Sequence, residues 1–239
     1  MRRMVCGEER RFLCFLGYHT AAYIFDDPQI HTYARNWFCL IDTIERQMGF
    51  YALRDGRVAT FAVHRAPNPA LPADAQQAVR DTYSSLGWIV PQALAKCPVS
   101  SQVYYDQVAQ IEISQWSRGR VTLLCDACQA VSLLGGQGAS LAVAGAHMLA
   151  AQLTCTDSID AALARYKQLW KPVIADSQQA ARRAAAWFLP ASTLQLWLRR
   201  TLLRLAALPN VDSYVATALV GKAGPTPDKL SQSPAVHAR

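Results

Sequence analysis

A short apolar run, a glycine-rich loop and a helix of small residues follow one another between 120 and 153, and no other feature restricts the fold as much. RVTLLC (120–125) reads as a short buried strand, DACQAVSLLGGQG (126–138) as a loop, and ASLAVAGAHMLAAQL (139–153) as a helix. Side chains this small let the helix approach a neighbouring backbone closely. A loop that feeds a helix N-terminus also leaves backbone amides free at the positive end of the helix dipole, so the unit can hold an anion. Asp126 stands at the end of the strand, where a carboxylate can accept hydrogen bonds from sugar-alcohol or ribose hydroxyls. Spacing alone leaves two readings open, an anion site and plain tight packing. Gly136-x-Gly138 lacks the third glycine of a dinucleotide fingerprint, with Leu141 in its place, and no GxGxxG occurs in the chain.

The residues before this unit read as sheet. The run 13–25 mixes aromatic and small residues at strand density. The runs FYALR and RVATFAVH flank Asp55-Gly56, which predicts a hairpin whose tight turn has positive φ at both central residues. A loop with three prolines (66–72) leads into 73–88, a helix with Val79 and Tyr83 on one face. Residues 102–113 return to strand, Ile111 and Ile113 alternating with Gln110 and Glu112; of Tyr104 and Tyr105, one side chain points to each face. After the unit, Asp157 or Ser158 caps a helix in which Leu163, Tyr166 and Trp170 share a face and Pro172 ends or kinks it. A last helix carries Leu194, Trp197/Leu198, Thr201/Leu202 and Leu205 at helical spacing. The stretch 221–239 reads as a polar, disordered tail.

Composition excludes several classes. Of 239 residues 51% are apolar and 17% charged, which rules out an intrinsically disordered chain and implies more apolar surface than one fold hides. No uninterrupted apolar run reaches the ~18 residues of a membrane span; the best, 12–25, is broken by Gly17, Tyr18 and His19. It follows Glu8 and Glu9 without a small-residue cleavage site, so it does not read as a signal peptide. Seven scattered cysteines read as the reduced thiols of a cytoplasmic protein. Cys125-x-x-Cys128 has no further ligands at zinc spacing. His19, His64 and His147 read as structural histidines. The net charge of +7 comes without a nucleic-acid-binding module, so no nucleic acid is expected as partner. Between Asp176 and Asp212 there is no acidic residue, while Arg182, Arg183, Arg199, Arg200 and Arg204 all fall inside.

The string WSRGRVTLLCDACQAVSLLGGQGASLAVAGAHMLAAQL (116–153) resembles the second flavin-binding segment of the FAD-dependent aromatic hydroxylases, the para-hydroxybenzoate hydroxylase-like monooxygenases. Their pattern there is G-R-V-x-L-x-G-D-A-x, a short loop, then G-Q-G-x-[NS]-x-A. Residues 49–65 are similar to the hairpin of that family's substrate-side sheet, and 159–208 to its closing helices. The resemblance implies an α+β fold: a substrate-binding sheet with an inserted helix (1–117), the closing segment of the FAD-binding domain (118–157), C-terminal helices (158–220) and the tail (221–239). It implies that Asp126 binds the ribitol of FAD. It also implies that the loop Gly135, Gly136, Gln137, Gly138, Ala139 and Ser140 turns its backbone amides to the pyrimidine side of the isoalloxazine. FAD as cofactor, NAD(P)H as reductant, dioxygen, and a small organic, often aromatic, substrate follow from the resemblance; it assigns no catalytic side chain and no metal.

Departures from the pattern are Gln129 and Leu133, where many relatives have His and Pro, and Cys125, where they have Gly. The family opens with a strand–GxGxxG–helix unit and carries a later D-G motif. Met1-Arg2-Arg3 begins about where that motif would end, so the expectation is the C-terminal part of a monooxygenase whose N-terminal half is missing or sits on a partner chain. Two other readings are a remnant that no longer binds flavin and packs on a partner, and a peripheral membrane protein acting through the basic stretch 182–204. For that stretch, docking onto the flavin domain is the expected role and membrane contact is not.

Overall fold

The computed structural model describes residues 2, 6–8 and 11–206, so the tail expected at 221–239 lies outside the described residues. The architecture is α+β. Two compact units form: one from the described parts of Met1–Cys14, Ala109–Ala185 and Thr201–Arg239, the other from Phe15–Val108 and Ala186–Arg200.

The second unit is built on a sheet. Strands β1 (Leu13–Ala22), β2 (Ile24–Phe25), β3 (Cys39–Thr43), β4 (Arg46–Ala52), β5 (Val58–Arg65) and β6 (Tyr104–Ile111) run in the order β3-β4-β5-β1-β6, with β2 also on β5. In it β1–β5, β2–β5, β3–β4 and β4–β5 pair antiparallel. Helices α1 (Pro28–Ala34), α2 (Ala75–Tyr83) and α3 (Val90–Ala95) join its core, where Ile30, Met48, Phe50, Val79 and Tyr83 are buried. Buried Asp27 caps α1, accepting from the amides of Gln29 and Ile30 at 3.0 Å each.

The hairpin forms around Asp55-Gly56, but its turn is not the expected one. Ala52 pairs with Val58, the Leu53 amide donates to the Arg57 carbonyl (2.8 Å), and the Gly56 amide donates to the Leu53 carbonyl (3.3 Å). Gly56 alone of the pair has positive φ, +89°. The loop is a three-residue turn closed by a left-handed glycine, and Asp55 is free to grip the Arg57 guanidinium at 2.7 Å.

In the first unit, β7 (Ser117–Arg118) and β8 (Val121–Thr122) form a two-residue ribbon. RVTLLC is therefore not a buried strand: Val121 is exposed and only Leu123 is fully buried. Helix α4 (Gly138–Thr154) packs beside the 30-residue α5 (Ile159–Phe188). Ser158 caps α5 through the Ala161 amide (3.3 Å), and Leu163, Tyr166 and Trp170 are all buried. Pro172 does not end α5. It lies on the exposed side of the helix, as does Gln168, whose carbonyl the proline leaves without an amide partner. The small residues of α4 have a specific use. A Cβ on Gly145 would lie 2.7 Å from the Trp170 indole nitrogen and 2.8 Å from the Gln129 amide oxygen.

Two consequences can be measured. Gly145→Ala adds helix propensity worth ~1 kcal/mol but drives a methyl into Trp170 and Gln129. The clash outweighs the propensity, so urea unfolding should show a net loss of up to about 2 kcal/mol; a stabilised variant would contradict the packing.

The second concerns His64, which pairs with His19 across β1 and β5. Its ring nitrogens are hydrogen-bonded to the hydroxyls of Tyr83 (3.0 Å) and Tyr105 (3.2 Å), while the buried His19 Nε2 has no partner. Burial, then the neighbouring His19 and Arg46, lower the His64 pKa to about 4. The unfolded chain takes up this proton near pH 6.5 and the folded chain does not. Stability is therefore full above that pH and falls by roughly 3 kcal/mol between about 6.5 and 4. Urea midpoints across this window should show the fall, and His64→Gln should shrink it; an equal fall in the variant would assign it elsewhere.

Candidate functional site

The residues singled out in 126–140 come together at the start of α4. Gln137 and the turn at 125–127 stand at a helix N-terminus that no side chain caps. The first helical bond runs from the Leu141 amide to the Gln137 carbonyl (3.0 Å), which leaves the amides of Gly138, Ala139 and Ser140 pointing out of the helix. Asp126 is exposed beside them: its Oδ1 lies 4.0 Å from the point where a Cβ on Gly138 would stand. Gly136 takes φ +61° in the same loop. Gly135 does something different; it lies where a Cβ would come within 3.1 Å of Ala181 of α5, so it serves the packing of the loop on that helix.

The turn carrying Asp126 is held from outside by Arg2, whose guanidinium donates to the carbonyls of Ala127 (2.9 Å) and Asp126 (3.2 Å). It is held from inside by a set of buried glutamines. Gln129 accepts from the Trp170 indole (3.2 Å) and donates to the Tyr166 hydroxyl. Gln110 donates to the carbonyls of Val131 and Gln178 (2.9 Å each), and Gln178 to those of Ile111 (2.8 Å) and Ala130 (3.0 Å). Arg182 donates to the Gln110 oxygen at 2.7 Å and pairs with Glu112. The expectation that Gln110 alternates outward from Ile111 is wrong: Gln110 is fully buried because the loop carbonyls beside it need donors. Period-two alternation hid Gln110 on its strand, and Gln178 lies in helix α5 among polar residues that gave no signal.

Ser132 has φ +82° and ψ 154°, a region that glycine alone enters freely, and its Oγ is buried without a partner. Cys125 has φ +53°, so the family's glycine at this position meets a backbone requirement. Its Sγ turns to the Ala142 carbonyl of α4 at 3.9 Å. Cys128 is buried, and burial pushes its thiol up to about 12, which removes it from thiol–disulfide chemistry near neutral pH. Among the described residues no three His, Cys, Asp or Glu side chains group to hold a metal ion.

The left-handed turn at Cys125 predicts opposite effects for two substitutions. A residue with a Cβ loses ~1–2 kcal/mol there, and glycine relieves this against ~0.5–1 kcal/mol of added unfolded-chain entropy. Cys125→Gly should hold or slightly raise the urea midpoint, and Cys125→Val should lower stability by about 1–2 kcal/mol. Equal losses in both would show that the backbone there is unstrained.

No protein-family model matches this chain. A flavin-dependent monooxygenase from an unknown prokaryotic organism is 38% identical over 101 residues, 42% of this chain and 26% of that protein. A flavin-dependent monooxygenase of Legionella longbeachae serogroup 1 is 33% identical over 105 residues, 44% of this chain and 27% of that protein. The chain thus spans about a quarter of the length of these curated relatives. Among solved structures, HpxO of Klebsiella pneumoniae complexed with FAD and uric acid is similar with a TM-score of 0.72, at 18% identity, covering 98% of this chain and 57% of that one. Over the matched part this chain is similar in sequence to flavin-dependent monooxygenases, and over most of its length it shares the fold of HpxO.

Proposed function

We propose that this chain supplies the substrate-side sheet and the second flavin-binding segment of an FAD-dependent monooxygenase acting on a small organic, often aromatic, substrate with NAD(P)H and dioxygen. The observation that carries the proposal is the exposed Asp126 carboxylate beside Gly138 at the uncapped start of α4. The family's flavin motif falls on these residues. In this reading 118–157 close the flavin site, 1–117 carry the substrate side, and 158–220 are the C-terminal helices.

The residues present fit the cofactor. Asp126 is free to accept from ribitol hydroxyls. The amides of Gly138, Ala139 and Ser140, with Gly136 and Gln137 leading into them, offer donors and a positive dipole end to an anionic ring edge. Ser132 Oγ is a buried polar atom without a partner in the same loop. Gly135 contributes by letting the loop lie against α5. FAD, when bound, supplies the reduction and oxygen-transfer chemistry. The protein's part is to bind the ring system, favour negative charge at its pyrimidine side, and hold the substrate.

These 239 residues hold no GxGxxG, so the chain by itself should bind FAD weakly. Joined to the glycine-rich nucleotide segment of one of its relatives, it should retain FAD, and Asp126→Ala should weaken binding about tenfold or more, the value of one charged hydrogen bond. Flavin fluorescence titration measures both. Equal affinity in the Asp126 variant removes Asp126 from the site; no binding in the joined protein favours a chain that has lost flavin.

A further inference from the structure

The turn that carries Asp126 is completed by a side chain far away in sequence. Cys125–Ala127 form one tight turn, and the amides that follow it, of Cys128 (3.1 Å) and Gln129 (2.8 Å), both donate to the Cys125 carbonyl. The next two carbonyls go to Arg2. Its Nε donates to the Ala127 carbonyl at 2.9 Å and its Nη2 to the Asp126 carbonyl at 3.2 Å. Two donors of one planar fork thus fix two successive peptide planes. The first of these planes, between Asp126 and Ala127, sets the direction in which the Asp126 side chain leaves the backbone.

This turn depends on such support. Cys125, directly before Asp126, is at φ +53°, where a residue with a Cβ gains by relaxing. Asp126 is exposed, so burial does not hold its carboxylate. A recognition group is effective only when held within about 0.5 Å of its working position. Arg2, Asp126 and the start of α4 all lie in the first compact unit. We propose, on the flavin reading above, that Arg2 is the positioning residue of this site: it aims the Asp126 carboxylate at the ribitol hydroxyls and does not itself touch the cofactor. Lysine does not replace it, because one ammonium is a point charge without two donors at a fixed angle.

The test titrates the full 239-residue chain with FAD by flavin fluorescence and follows amide hydrogen exchange by NMR without FAD. Arg2→Gln should bind FAD roughly fivefold more weakly, and Arg2→Lys should recover only a small part of the loss. Asp126→Ala also weakens binding, and Arg2→Gln/Asp126→Ala should bind no more weakly than Asp126→Ala alone, because Arg2 acts through Asp126. Without FAD, the Cys128 and Gln129 amides of Arg2→Gln should exchange about tenfold faster, while amides inside α5 keep their rates. Losses that add in the double variant overturn the proposal, since Arg2 then contacts the flavin or acts elsewhere. Faster exchange throughout α5 overturns it too, as Arg2 is then merely structural, and so does unchanged exchange at Cys128 and Gln129. FAD bound by the parent and equally by Arg2→Gln overturns this role alone. No binding by the parent overturns the role in this chain, and the flavin reading falls with it only if the joined protein fails to bind as well.

Discussion

Three buried glutamines hold the loop that positions Asp126 and the start of α4. A loop folded between a strand and a long helix must bury backbone carbonyls that no sheet or helix ladder satisfies, and each one left alone costs ~1–3 kcal/mol. Glutamine solves this because its amide has two donors and an acceptor on one planar group. Gln110 gives its hydrogens to the carbonyls of Val131 and Gln178; Gln178 returns two to Ile111 and Ala130. Gln129 replaces the family's usual His and still both donates and accepts, to Tyr166 and from Trp170. The departure from the family pattern keeps the connection between the loop and α5.

That network explains why the loop tolerates unusual backbone angles. Cys125 and Ser132 are non-glycine residues at positive φ within eight positions of each other, with Gly136 following. Isolated, each favours relaxation to an ordinary conformation. Fixed from α5 by glutamines and from outside by Arg2, the loop has little room to do so. One of the strained residues, Cys125, directly precedes Asp126 and turns its Sγ to α4, the place where the sequence motif puts a ligand.

Much of the fold was legible because it depends on local pattern. The strand runs at 13–25 and 102–113, the hairpin, the small-residue helix and the buried face of Leu163, Tyr166 and Trp170 all follow from periodicity and turn residues. What pattern missed depends on partners distant in sequence. Gln110 reads as a surface residue until Val131 and Gln178 are beside it, and Pro172 reads as a break until its side of α5 proves exposed. The D-G pair announced a hairpin correctly but not its turn, because Asp55 finds Arg57 and needs no left-handed backbone. The grouping of Asp126 with 136–140 was legible only through the motif, since spacing by itself allows plain packing equally well.

The orientation of the last helix, α6 (Thr193–Ala206), has the same kind of cause. Strand β3 is an edge of the sheet, and a bare edge exposes backbone groups to unwanted pairing. Asp42 lies on that edge, and Arg200 donates to its carbonyl at 2.7 Å while Arg199 and Arg200 share its carboxylate. Two consecutive arginines reaching one aspartate fix the rotation of the helix. With 3.6 residues per turn, positions 194, 198 and 202 then lie around the other side, whatever their polarity. Covering the edge of the sheet with arginine is thus what turns leucine and tryptophan outward, and an apolar surface here follows from the ion pair rather than from a failure of packing.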